Sequence, residues 1–223
     1  MDPAQELVYF SGNQGNHTEK HLFVASFATN TAAATSSSAP STAPPSSSSA
    51  SSASVSSGVR RLTADSGWHT TAVCAAAGVF VDVFSSVDRP PVTRLYRLPT
   101  LSSSALLSGS EGGAQDGRWP VLLAVLSDAA ESDPRLSALL PALPAPRLDR
   151  VPLPTDAALP LTGEAGGLQC AMYLPDRARF GPGPYPTVVS VYGGPGPQRV
   201  SNTWLMRVDL RAQRLAQDGY LGE

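Results

Sequence analysis

The sequence predicts a mixed fold, antiparallel β for its first two thirds and then the opening of a parallel or mixed α/β sheet. Three observations carry this: short period-two runs separated by turns up to about residue 100, a change of character near residue 150, and an apolar β-branched run followed by a helical pattern after residue 187. At 223 residues with 42% apolar content the chain is long enough to bury a core.

The elements follow in order. "LVYF" (Leu7 to Phe10) leads through a polar turn into "HLFVASF" (His21 to Phe27), where His21, Phe23, Ala25 and Phe27 share one face of a hairpin. "VRRL" (Val59 to Leu62), "HTTAVC" (His69 to Cys74), the small turn "AAAG", "VFVDVF" with Val79, Val81 and Val83 on one side, and "VTRLYRL" (Val92 to Leu98) complete the set. Strands at such spacing fit an antiparallel sandwich, a barrel or propeller blades. The segment Thr31 to Ser57 is almost entirely Ser, Ala, Thr and Pro, too poor in apolar groups to offset the entropy of ordering, and is expected to be a disordered loop. Residues 99–119 form a weaker loop, and Pro134 to Pro146 punctuates the exit from the β region.

Beyond residue 150, "LQCAMYL" (Leu168 to Leu174) alternates as a half-buried strand, "PDRARFGPGPYP" reads as a loop, and Thr187 to Val191 reads as a strand covered on both faces. Ser201 or Asn202 is expected to cap a helix that turns Leu205, Val208 and Leu215 inward, with Gly219 ending it. The resulting division is 1–145 for the antiparallel part and 150–223 for the α/β part.

Several functions are disfavoured by composition. Lys plus Arg (16) nearly balances Asp plus Glu (18), so no basic surface points to nucleic acid or anionic lipid. The longest apolar run, Val121 to Leu126, is too short to span a bilayer, and no targeting segment is visible, which favours a cytoplasmic location. Cys74 and Cys170 are far apart and read as small buried hydrophobes rather than a disulfide or zinc site. The sequon Asn16-His17-Thr18 has meaning only in a secreted chain. His17, Glu19 and His21 form H-x-E-x-H, which lacks the H-E-x-x-H spacing of a zinc peptidase helix. "GGPGPQR" has the setting of a dinucleotide turn, but G-x-G-x-x-G from Gly194 fails at Arg199, and Pro195 and Pro197 lack the N–H donors a pyrophosphate needs. No cofactor or metal is expected.

The stretches "LVYFSGNQGNHTEKHLFVASF", "VRRLTADSGWHTTAVCAAAGVFVDVFSSVDRPPVTRLYRL" and "YPTVVSVYGGPGPQRVSNTW" resemble the dipeptidyl peptidase IV branch of the prolyl oligopeptidase family, closest to its cytosolic members. The resemblance implies the last strands of a β-propeller followed by the first strands of an α/β-hydrolase domain. It makes Tyr192, beside Gly193, Gly194, Pro195 and Gln198, an oxyanion-hole donor. A neutral phenol meets developing negative charge without first losing a proton. The G-x-S-x-G elbow and the aspartate and histidine of a triad are absent, and "LLSGSEGG" lacks the elbow spacing. The acidic pair that holds a substrate's amino terminus in the family has no counterpart here.

The chain is therefore expected to be an internal or truncated piece of a serine exopeptidase acting on proline-containing peptides, inactive alone and able to pair with full-length subunits. The alternative is a propeller-derived binding module that pairs with a full-length subunit or another partner. An unneighboured strand at 187–191 is expected to expose apolar faces and favour association.

Overall fold

The computed structural model describes residues 2, 5–13, 15–27, 58–101, 103, 106, 119–152, 167–194 and 198–222. The Ser/Ala/Pro-rich segment 31–57, most of 99–119, Pro195 and Pro197 lie outside the described residues. The fold is mixed and strand-rich, with antiparallel sheets throughout its first part.

The first sheet is a meander of β1 (Leu7–Gly12), β2 (His21–Ser26) and β3 (Val59–Arg61). Central β2 buries both of its faces, since His21, Leu22, Phe23 and Val24 are all sequestered. One-sided alternation therefore understates the burial of β2, which is covered on both faces. Phe10 lies opposite Phe23 and stacks on it at 5.6 Å between ring centroids.

The second sheet is a four-stranded meander of β4 (Trp68–Cys74), β5 (Val79–Ser85), β6 (Val92–Arg97) and β7 (Val121–Asp128). "AAAG" forms the β4–β5 connection as a single 3-10 turn closed by Gly78, whose φ of 65° suits glycine. Gly67, at φ 146°, passes so close to β5 that an added Cβ would sit 2.6 Å from the Ser85 carbonyl oxygen, so only glycine fits. The buried face of β5 carries Phe80, Asp82 and Phe84, while the Val79, Val81 and Val83 face is the more exposed. A parallel bridge from Lys20 to Trp68 joins the two sheets. Their shared core is Leu7, Leu22, Val24, Leu62, Phe80, Leu101 and Leu106.

β7 is the free edge of this sheet. The exit after it is helical rather than merely proline-punctuated: α1 (Ala129–Ser132) is capped by Asp128 and α2 (Pro134–Leu139) by Asp133, with Pro134 in its first turn.

The second part begins with an antiparallel hairpin, β8 (Arg147–Pro152) with β9 (Gly167–Met172). The expected loop after it contains one helical turn, α3 (Arg177–Phe180), because the Asp176 carboxylate accepts from the Ala178 N–H. β10 (Thr187–Val188) pairs in parallel with β11 (Leu221–Gly222), and α4 (Trp204–Arg207) and α5 (Leu210–Gln217) form the crossover that parallel pairing requires. A single antiparallel bridge, Tyr173 to Gly222, ties the two pairs in the order β8, β9, β11, β10. A small core of Ala171, Tyr173 and Ala216 lies beneath them.

Two expectations are corrected here. The strand read at Thr187 to Val191 extends only through Val188, and Val189 and Val191 are 59% and 87% exposed instead of covered. Only β11 pairs with it, so nothing extends the ladder past Val188. The single helix is two helices, broken at Val208 and Asp209. Asp209 caps α5 by accepting from the Ala212 N–H, and Leu205 faces solvent at 76% exposure. Asn202 is spent elsewhere.

Candidate functional site

Tyr192 follows the end of β10 in the Gly-Gly turn. It is half exposed, and among the described residues nothing hydrogen-bonds its hydroxyl. Its ring folds over Gly194, where a built Cβ would lie 2.6 Å from the phenol oxygen. The Arg199 guanidinium lies 6.0 Å from the ring centroid. A free phenol O–H backed by a cation is a donor able to meet an oxyanion. Beside this loop lies a cleft of about 930 Å³, lined by Leu168, Tyr173, Val189, Val191, Met206 and Leu215 and, on its far wall, by Trp68 of β4. Tyr173 is held neutral: burial first, and then the Asp209 carboxylate, raise its phenol above the usual range, and it donates to the Met206 carbonyl.

A second concentration of polar chemistry is buried between the first two sheets. The His21 Nδ1 lies 3.1 Å from the Thr63 hydroxyl, and its Nε2 lies 3.0 Å from a Glu19 carboxylate oxygen. The proton order follows from the donors. The Leu22 N–H donates to Thr63 Oγ1, Thr63 donates to His21 Nδ1, and His21 Nε2–H donates to Glu19. Burial is the main cause holding the His21 imidazole below its usual value, with Arg61 and His69 acting the same way and Glu19 opposing. Burial alone would raise the Glu19 carboxyl, but hydrogen bonds from Ser66 and His21 outweigh it and hold it below the ordinary range. At neutral pH the pair is thus a neutral imidazole donating to a carboxylate.

Hydroxyl, imidazole and carboxylate in line have the connectivity of a nucleophilic triad. Thr63 and His21 are only 5% and 2% exposed, and Thr63 already accepts from the backbone, so no substrate carbonyl reaches that oxygen. This constellation is structural.

His69 stands beside it, its ring 5.1 Å from that of His21 and stacked on Phe84. Its Nε2 is 3.0 Å from the Asp65 carbonyl, which only accepts, so Nε2 carries a proton. Nδ1 shares the next proton with Asp82 Oδ2 at 2.8 Å. The other Asp82 oxygen is buried without a hydrogen-bond partner among the described residues. No group of three or more His, Cys, Asp or Glu side chains among the described residues could hold a metal ion.

The structure does not bring the two concentrations together: Tyr192 is at the surface, and the histidines are in the core. The sequence singled out Tyr192, placed His21 on one face of a hairpin and offered Asn202 as a helix cap, but missed Asp82. An aspartate between two phenylalanines on alternate positions of β5 is a usable signal, because a carboxylate on an aromatic face must find a partner. The sequence marks Asn202 only as a helix cap and gives no sign of its contacts with Thr18, Ser66 and Val87. No family model matches the chain.

Proposed function

We propose that these residues are the scaffold and oxyanion-donor part of a serine-type dipeptidyl peptidase of the prolyl oligopeptidase kind, unable to turn over substrate alone. The observation that carries this reading is the half-exposed Tyr192 hydroxyl after β10, which has no hydrogen-bond partner among the described residues. The order β8, β9, β11, β10, with its parallel last pair and helical crossover, supports an α/β-hydrolase sheet at its opening. The four-stranded meander β4 to β7 supports a propeller blade ahead of it. The role of Tyr192 would be to donate one hydrogen bond to the tetrahedral intermediate of acyl transfer, from a group that stays protonated at neutral pH. The nucleophile, its base and the orienting carboxylate would have to come from residues outside these 223. The substrate would be a peptide with proline near its amino terminus.

The test is an in-frame longer product that contains a G-x-S-x-G elbow. Tyr192→Phe in that product should lower kcat on a dipeptidyl-proline substrate by about a hundredfold or more. An unchanged kcat would remove Tyr192 from the reaction.

A binding module that pairs with another subunit is the second reading, favoured by the exposed edges of β7 and β10. Val121, Leu122, Val125 and Leu126 are each about half exposed, and Val191 more so. A chain that sediments as a monomer across its soluble range would count against it.

A further inference from the structure

Three backbone or amide contacts of Asn202 hold the segment between Tyr192 and α4 on the first two sheets. Its N–H donates to the Thr18 carbonyl at 2.6 Å, its Oδ1 accepts from the Val87 N–H at 3.0 Å, and its Nδ2 donates to Ser66 Oγ at 3.4 Å. Just beyond it, the Trp204 N–H donates to Ser85 Oγ at 3.5 Å. Ser66 in turn donates to Glu19, and Glu19 accepts from His21. A continuous line of donors therefore runs from the buried imidazole to the amide that seats this segment.

We propose that the chain of hydrogen bonds Thr63–His21–Glu19–Ser66–Asn202 is a proton-sensitive joint that holds Ser201–Arg207 against the first two sheets and releases it on acidification. The logic is in the directions of the bonds. While Glu19 is a carboxylate, Ser66 gives its proton to it and offers a lone pair to Asn202. A proton on Glu19 would be donated back towards Ser66 and compete for that lone pair. A proton on His21 Nδ1 would turn the acceptor of the Thr63 hydroxyl into a donor.

Charge around His21 does not welcome a cation. Glu19 faces it from the preceding turn and favours one. Arg61 of β3 opposes one, and so does His69 of β4 when protonated; its partner Asp82 of β5 stands behind the His69 ring. The Lys20 ammonium points away, towards Thr70 and the Trp68 ring, and the Asp65 carboxylate is taken by Arg94. The directions found for His21 and Glu19 agree: the held state excludes a proton from each.

The sign follows. The linked group is Glu19: the Asn202 amide is among the donors that hold its carboxyl below the ordinary value of 4.5, and that donor leaves with the segment. Release therefore becomes more favourable as pH falls below about 4.5, by up to about tenfold per pH unit for one proton. The joint stands whether or not Tyr192 serves catalysis.

The experiment is hydrogen exchange of the full chain from pH 8 to pH 3.5, corrected for intrinsic rates, read at the amides of Asn202, Trp204 and Val87. Their protection should fall with pH below about 4.5 by up to about tenfold per unit, while amides of β5 and β6 hold theirs. Glu19→Gln should flatten the dependence. Ser66 is exposed, so Ser66→Ala tests the relay without disturbing the core; it should lower protection at pH 8 and reduce the slope. Protection independent of pH, or a slope kept intact in either variant, overturns the proposal.

Discussion

At the scale of single residues, the most consequential side chain is Asp82, which is 1% exposed and is the buried partner of His69 Nδ1. Truncating it leaves a buried imidazole nitrogen unmatched beside Phe84. Asp82→Ala should therefore cost about 3–5 kcal/mol, the usual effect of breaking a buried pair from one side. Asp82→Asn should cost less, because an amide still donates to Nδ1 of a neutral imidazole. Urea unfolding of the two variants separates them, and an alanine variant within about 0.5 kcal/mol of the parent would mean that the pair is not what holds this part of the core together. Tyr192 was singled out in the sequence as the side chain left where a β-branched run halts at Gly-Gly, but the strand itself ends earlier, at Val188. Asp82 was not, because the valines of "VFVDVF" advertise the wrong face; the aromatic residues are the ones that pack inward.

At the scale of elements, β7 is the exposed liability. Val121 to Ser127 contains no charged residue and no proline, the devices that usually protect a free edge. Val125→Lys places a charge at a position 53% exposed, so it should raise the concentration at which the chain stays monomeric while leaving its melting temperature nearly unchanged. Sedimentation velocity over a concentration series checks this; unchanged self-association would locate the sticky surface elsewhere, at β10 for example. β1 to β6 were readable to within about two residues, since turn chemistry at "AAAG" and at Ser86 to Pro91 punctuates them, but β7 was missed because its unbroken apolar run shows no alternation. The end of β10 and the break between α4 and α5 were missed too. A strand's length depends on partners that local pattern does not name, and Asn202, which looks like a helix cap, is drawn instead into contacts with Thr18, Ser66 and Val87.

At the scale of the whole molecule, two bodies meet along a seam. Besides Asn202, Arg207 donates to the carbonyls of Leu143 and Leu140 and of Val87, and buried Gln213 reaches the carbonyl of Pro144. The α/β part thus sits on the antiparallel part through side chains that satisfy main-chain oxygens. What remains open is apolar: the cleft beside Val189 and Val191. Among the described residues, the hydroxyl aligned with an imidazole and a carboxylate belongs to buried Thr63. The most direct measurement is to incubate the purified 223-residue chain with a dipeptidyl-proline substrate and, in parallel, with a serine-directed phosphonate read by intact mass. The account predicts no turnover and no added mass; turnover abolished by stoichiometric labelling of one serine would contradict it.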